Sequence, residues 1–182
     1  MMKYRRLFNP GATVFFTVVS YLRQPIFKSQ SSVDLLSDAI QYVMRRHPFT
    51  IDALVVLPDH LHSIWTLPDG DVDYPTRWRL IKSYFTRVIA SSLSMRQTES
   101  MAKKGEQPVF QRRYWEHTIR DEKDYKNHLD YIHFNPVRHG YSKEPSEWAA
   151  SSFHQYLENG YYPHDWGGKS MDGFSIPFDD TL

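Results

Sequence analysis

Two residues, Pro58 and Asp59, separate the apolar run Ala53-Leu54-Val55-Val56-Leu57 from the next one, His60-Leu61-His62-Ser63-Ile64-Trp65-Thr66-Leu67. A link that short joins only antiparallel neighbours, because a parallel crossover needs a dozen residues or more. Strands over residues 49–57 and 60–67 are therefore predicted to form a hairpin, and the fold must contain an antiparallel sheet. Side chains alternate along a strand, so His60 and His62 share one face while Leu61 takes the other. Two neutral imidazoles side by side on a rigid strand are a ready pair of metal ligands. The same spacing also arises by chance in ordinary surface histidines, so the pair needs corroboration.

That corroboration lies about seventy residues on, in Asp130-Tyr131-Ile132-His133-Phe134-Asn135-Pro136. The surrounding pattern is helical, which puts Tyr131 and Asn135 on one face at i and i+4. A phenol and an amide oxygen one turn apart, opposite two histidines, suggest a metal site with a nucleophile beside it. Among the twelve tyrosines, Tyr125 should project elsewhere at i−6, whereas spacing leaves Tyr114 and Tyr141 open as competitors. His128, at i−3 from Tyr131, is a candidate orienting residue.

The rest of the chain fills in around these stretches. Thr13 to Ser20 is β-branched and aromatic throughout and is predicted to be a central strand. Ser32 to Arg46 reads as a helix capped by Ser32, and Thr76 to about Ser94 as a second one with Trp78, Ile81, Phe85, Val88 and Ile89 on its apolar stripe. Lys82 and Arg87 should then be exposed. Met95 to Gln107 has no periodicity and reads as a loop. A short strand is expected around Glu116 to Arg120. A helix capped by Asp121 should follow and be ended by Pro136. The resulting order, β-α-β-β-α-β-α and a tail, predicts an α+β fold of ferredoxin-like or RRM-like type, an antiparallel sheet with helices on one face. The expected division is a catalytic domain over 1–141 and an acidic, aromatic tail over 142–182 packed on it.

Charge and composition narrow the function classes. Residues 1–141 carry 20 Lys and Arg against 14 Asp and Glu, whereas residues 142–182 carry 2 against 7. A mildly basic body suits a polyanion, and the acidic tail could lie over it and compete. The candidate nucleic-acid-contacting residues are Arg5, Arg6, Lys82, Arg112, Arg113, Lys126 and Arg138, with Trp115 as a surface on which an unpaired base could stack. The chain has no cysteine, which excludes disulfides, thiolate zinc sites and a cysteine nucleophile and fits a cytoplasmic protein. No apolar run approaches the ~20 residues of a membrane span, and no signal peptide is expected.

Several stretches carry a family likeness in the same order. They are Tyr4-Arg5-Arg6 with Thr13-Val14-Phe15-Phe16-Thr17, Val55-Val56-Leu57-Pro58-Asp59-His60-Leu61-His62, Trp115-Glu116-His117-Thr118-Ile119-Arg120, and His128 through Gly140. Together they resemble the REP-associated tyrosine transposases of bacteria, a branch of the HUH single-tyrosine transposases. The resemblance implies an RRM-like fold and cleavage of single-stranded DNA beside short palindromic hairpins. It implies His60 and His62 as metal ligands, Tyr131 as nucleophile and Asn135 completing the metal site, where related insertion-sequence transposases carry a glutamine. It also implies a monomer, with a dimer as the alternative, acting in the bacterial cytoplasm and associated with the nucleoid when bound to DNA.

The chemistry expected of such a site is metal-dependent cutting and strand transfer through a 5′-phosphotyrosine. Mg²⁺ or Mn²⁺ is the expected ion, since phosphate oxygens and waters complete an oxygen-rich octahedron. The alternative from a different class is a protein that binds DNA hairpins sequence-specifically without cutting.

Overall fold

A computed structural model describes residues 13–90 and 97–168. The arm that carries Arg5 and Arg6 lies outside the described residues, as does the stretch beyond Gly168. Four strands, β1 (Thr13–Val19), β2 (Thr50–Val56), β3 (His60–Thr66) and β4 (Trp115–Thr118), form one sheet in the order β2-β3-β1-β4. Every neighbouring pair is antiparallel. The helices are α1 (Gln30–Met44), α2 (Tyr74–Ile89), α3 (Glu99–Lys103), α4 (Glu122–Arg138) and α5 (Phe153–Glu158). The α+β class and the antiparallel sheet are as the pattern predicts, and α3 adds a short turn of helix inside the expected loop.

The expectation that all helices share one face is corrected. Both faces of the sheet are apolar, and each has its own cover. Val14, Phe16 and Val18 of β1, with Leu61 and Trp65 of β3, pack under Leu36, Ile40 and Val43 of α1 and Trp78, Ile81 and Phe85 of α2. Trp65 stacks on Trp78 with ring centroids 4.1 Å apart. The alternate residues Phe15, Ala53, Val55 and Ile64 pack under Tyr125, Leu129, Tyr131 and Ile132 of α4. The near-continuous apolar run of β1 is what a strand covered on both sides requires.

Helix starts follow side-chain capping. Ser29, not Ser32, caps α1, accepting from Ser32 N, and Asp73 caps α2, accepting from Thr76 N. Asp121 caps α4 as expected, its carboxylate accepting from Asp124 N at 2.8 Å.

The end of α4 differs from expectation in a way that matters for the site. Pro136 lies inside the helix, which continues to Arg138. Proline forfeits one helical bond, but the true stop comes later, in a Schellman motif. Gly140 takes φ +71°, its N–H donates to Val137 O at 2.9 Å, and Tyr141 N–H donates to Pro136 O at 2.9 Å. The extra residues bring Arg138 onto the face that carries Tyr131.

The segment after α4 is stitched to the body. Trp148 Nε1 donates to Val56 O at 2.9 Å, Val56 N donates to Ala150 O at 2.9 Å, and Ser152 N donates to Leu54 O at 2.8 Å, so the free edge of β2 is covered. A buried chain of hydrogen bonds then locks α4. Leu54 N donates to Ser152 Oγ, Ser152 Oγ bonds His133 Nε2 at 2.8 Å, His133 Nδ1 bonds Tyr162 Oη at 3.0 Å, and Tyr162 Oη donates to Asp130 Oδ1 at 2.8 Å. Because Tyr162 spends its proton on Asp130, it accepts from His133 Nδ1, which leaves Nε2 to accept from Ser152. Burial holds His133 down to about 3, in keeping with a neutral ring. Tyr162→Phe strands a carboxylate oxygen and a ring N–H in the interior. It is expected to cost about 1–3 kcal/mol, read as a lower urea midpoint at unchanged slope; an unchanged midpoint would contradict the lock.

Candidate active site

The sheet's α4-facing side carries a row of polar and aromatic residues set by strand register. Thr17 of β1 lies opposite His62 of β3 on one side and Trp115 of β4 on the other. Val19 lies opposite His60, and Phe15 opposite both Ile64 and His117. His60 and His62 thus share a face, as the period of two predicts, with ring centroids 5.0 Å apart.

Across from them α4 lays down a stripe of Asp124, His128, Tyr131, Asn135 and Arg138. These fall at helical spacings of three and four, and all but Arg138 are buried. The Tyr131 ring centroid is 5.0 Å from that of His62 and 5.9 Å from that of Phe15. The Arg138 guanidinium sits over the Tyr131 ring, 5.6 Å from its centroid. His139 follows and meets His60 at 5.2 Å. The structure therefore brings together His60, His62, Tyr131 and Arg138 from two stretches that the sequence singles out separately, with Asn135 buried one helical turn beyond Tyr131 on the same stripe.

Outer contacts fix the two histidines. Thr17 Oγ1 bonds His62 Nδ1 at 2.9 Å, and Asp59 Oδ1 bonds His60 Nδ1 at 2.6 Å. Arg23 in turn donates to Asp59 Oδ2 at 3.2 Å. Burial raises the Asp59 carboxyl, but the bonds and charges of His60 and Arg23 outweigh it and leave it below the ordinary carboxylate range. Burial, with the neighbouring His60, His139 and Arg138 adding to it, holds His62 well below the usual histidine value. A neutral ring is the form that ligates metal.

The donor set fits a divalent cation on a specific ground. His62 Nε2 and both the amide oxygen and nitrogen of Asn135 are buried with no hydrogen-bond partner among the described residues. Buried polar atoms left so cost free energy unless something coordinates them. A carboxylate behind one histidine and a hydroxyl behind the other is the outer arrangement that metal-binding imidazoles take.

A second group lies at the other end of the stripe. Ligand-type atoms of His117, Asp124 and His128 all fall within 4.8 Å of one another, and they are donor types a divalent ion accepts. The group is already internally bonded. Asp124 Oδ2 accepts from His117 Nε2 at 2.8 Å and from the Arg120 backbone N and side-chain Nε at 2.9 and 3.2 Å, while His128 Nδ1 donates to Asp124 O at 2.8 Å. Asp124 Oδ2 is thus already held by His117 and Arg120, whereas Oδ1 faces His128 Nδ1 at 3.2 Å. Burial pushes His128 down to about 4, against the pull of Asp124. Its ring and that of Tyr131 both pack on Phe15, at 4.7 and 5.9 Å.

The other expected DNA contacts are spread more widely. Trp115 and Arg113 are exposed. Arg112 is exposed and paired with Glu106 at 2.8 Å. Lys126 pairs with Asp130 on the flank of α4 that faces the C-terminal segment, off the Tyr131 stripe. Lys82 is not exposed as expected. Its ammonium donates to Gln111 O at 2.9 Å and lies against Phe110 and Tyr114, on the sheet face opposite Tyr131, where burial lowers it to about 8. Of the competing tyrosines, Tyr114 also packs on that opposite face, against Phe16 and Trp78. Tyr141 is exposed, stacked between His139 and Trp148.

Sequence alone gives Thr17, Phe15 and Asp59 no role in the site, and it leaves His139 as a surface or DNA-facing histidine. The first two become visible only once strand register is known. Asp59 and His139 carry local signals, adjacency to His60 and a spacing of four from Asn135.

No protein-family model matches the chain. It is 43 % identical over 173 residues, 94 % of this chain and 94 % of the other, to a REP-associated tyrosine transposase of Escherichia coli (strain K12). It is 40 % identical over 169 residues, 93 % of this chain and 95 % of the other, to a Haemophilus influenzae protein of the same family name. A solved REP-associated tyrosine transposase bound to a REP hairpin superposes with a TM-score of 0.72 at 43 % identity, over 98 % of each chain.

Proposed function

The chain belongs to the REP-associated tyrosine transposases, and from that premise we propose that it cuts and rejoins single-stranded DNA beside palindromic hairpins, with Tyr131 as nucleophile. The observation that carries the reading is the convergence of His62, Tyr131 and Arg138 on one face, with unpartnered ligand atoms on His62 and Asn135. The DNA partner is proposed by extension from the hairpin-bound relative. No helix among the described residues is long and apolar enough to cross a membrane.

In this mechanism His60, His62 and Asn135 would hold a divalent ion, Mg²⁺ or Mn²⁺. When bound, the ion supplies Lewis-acid polarisation of a non-bridging phosphate oxygen. Asp59 and Thr17 keep the two rings oriented. Arg138 places a positive charge beside the Tyr131 ring, which favours both the phenolate and an approaching phosphate. Tyr131 Oη forms a new bond to phosphorus and the bond to the 3′ oxygen breaks. The phenol loses its proton and the leaving oxygen takes one up, so a 5′-phosphotyrosine and a free 3′-OH result. Since the phosphodiester energy is kept in the tyrosyl link, a second 3′-OH can reverse the step without ATP.

Thr17→Val removes the hydroxyl behind His62 with little change of volume. It is expected to weaken Mn²⁺ binding about 10–100-fold, read by calorimetric titration, and to cost the metal-free protein about 1–3 kcal/mol because the buried His62 Nδ1–H loses its acceptor. Undiminished Mn²⁺ affinity would remove Thr17 from the site.

The direct test incubates the protein with labelled single-stranded oligonucleotides carrying its own genome's repeated palindromes and their flanks, with Mg²⁺, Mn²⁺ or EDTA. A metal-dependent cut together with a slow-moving covalent adduct on a denaturing gel supports the proposal. Tight binding with neither product would make the chain a hairpin-binding protein instead.

A further inference from the structure

The edge strand β4 presents Trp115 and His117 on the same sheet face as His60 and His62, because Trp115 pairs with Thr17 and His117 with Phe15. Trp115 and His62 thus sit in one cross-strand row with only Thr17 between them. Two strand spacings of about 4.8 Å put their backbones roughly 10 Å apart. Trp115 nonetheless remains 37 % exposed, while neighbouring large aromatics on that face are buried.

The ring geometry explains what such a tryptophan is held for. Trp115 and His117 are parallel within 5°, with centroids 5.9 Å apart, and His117 and His128 within 16°, at 4.7 Å. Three near-parallel planes therefore run from solvent at the sheet edge to the buried stripe of α4. The stack is pinned from behind by Asp124, which bonds His117 and the Arg120 side chain and takes His128 Nδ1 on its carbonyl. Phe15 braces it edge-on, with its centroid 5.5 Å from Trp115, and the same Phe15 ring touches Tyr131. Arg113 and Arg120 are exposed at the two ends of β4, where they can meet phosphates on either side of a base.

A tryptophan that served only the core would be buried. Here a buried carboxylate and two histidines fix the plane of an indole whose remaining surface faces water. A fixed, outermost aromatic plane flanked by guanidinium groups is what an unpaired nucleobase stacks on, and such stacking tolerates any base because every base has a π-face. A base-paired stem offers no free face at its sides. We infer that Trp115 is the stacking platform for one unpaired nucleotide of the single-stranded flank, close to the phosphate that reaches Tyr131, and that it takes no part in holding the hairpin stem.

This inference rests on the proposed cleavage of flanked hairpins, and its test separates the two. Binding is measured in the uncut Tyr131→Phe background, with one oligonucleotide that carries the single-stranded flank and another that is the bare hairpin. 2-Aminopurine is placed at successive flank positions to report stacking by fluorescence quenching. The expected result is quenching confined to one or two adjacent positions. Adding Trp115→Ala should weaken the flanked oligonucleotide about tenfold or more, abolish that quenching and leave bare-hairpin affinity unchanged. Trp115→Phe, which preserves a ring and the fold, should retain most of both signals. Equal losses on both oligonucleotides, flanked affinity unchanged in Trp115→Ala, or no quenching at any position with unsubstituted Trp115 would each overturn it. Failure of the cleavage reading shows elsewhere, as the absence of a covalent adduct with the unsubstituted protein.

Discussion

Tyr131→Phe is expected to abolish strand cleavage and the covalent adduct while leaving hairpin affinity within about twofold. The substitution deletes only the attacking oxygen. The ring that packs on Phe15 and His62 and lies under Arg138 stays in place, so neither the fold nor the DNA surface should change. Removing the nucleophile of a covalent mechanism takes away the step itself, and losses on the order of 10⁴-fold or more are the scale for such deletions. The competing tyrosines give the control. Tyr114 lies on the opposite sheet face, and Tyr141, though near His139, is stacked and exposed. Phenylalanine at either position should leave adduct formation within a few-fold of the unsubstituted protein. Cleavage that survives Tyr131→Phe would mean that water or another residue attacks.

His62→Ala is expected to remove metal binding and with it cleavage. His62 is fully buried, neutral and oriented through Thr17, with Nε2 unpartnered. It has no bond to lose except the one to Thr17. Mn²⁺ affinity should fall by more than the about 100-fold that loss of an outer-shell contact brings. The cleavage rate should drop on the order of 10²–10³-fold or more at fixed Mn²⁺, the scale for removing electrostatic stabilisation of a reacting oxyanion. Hairpin binding should persist, which distinguishes a lost ligand from an unfolded protein. Unaltered Mn²⁺ affinity in a folded His62→Ala protein would place the ion elsewhere, with His117, Asp124 and His128 the first group to examine.

Much of this site can be read from local spacing. A period of two puts His60 and His62 on one face, and a period near 3.6 puts Tyr131 and Asn135 on another. The two-residue link at Pro58-Asp59 forces the hairpin whose register the structure shows. What could not be read depends on distant partners. Thr17 reaches His62 only because β1 inserts beside β3, a pairing of residues 45 apart. A helical projection makes Lys82 solvent-facing, yet its ammonium lies over the rings of Phe110 and Tyr114 from a later segment. The apolar stripes of the helices are legible, but a stripe does not say which face of the sheet it covers, so the pattern alone does not separate α4 from α1 and α2. The end of α4 differs from the sequence pattern for a local reason. The helix-breaking signal of Pro136 is strong, but the left-handed Gly140 two residues past Arg138 supplies the actual stop. Arg138 reaches the Tyr131 ring only in the longer helix.

The central claim is that the phenol of Tyr131 becomes covalently joined to DNA. The most direct measurement digests the protein–DNA adduct formed in Mn²⁺ and locates the nucleotide-bearing residue by mass spectrometry. The expected result is a single modified peptide with the 5′-phosphate on Tyr131, absent when EDTA replaces the metal. Modification at Tyr114, Tyr141 or any other residue, or cleavage with no modified peptide at all, would contradict the claim.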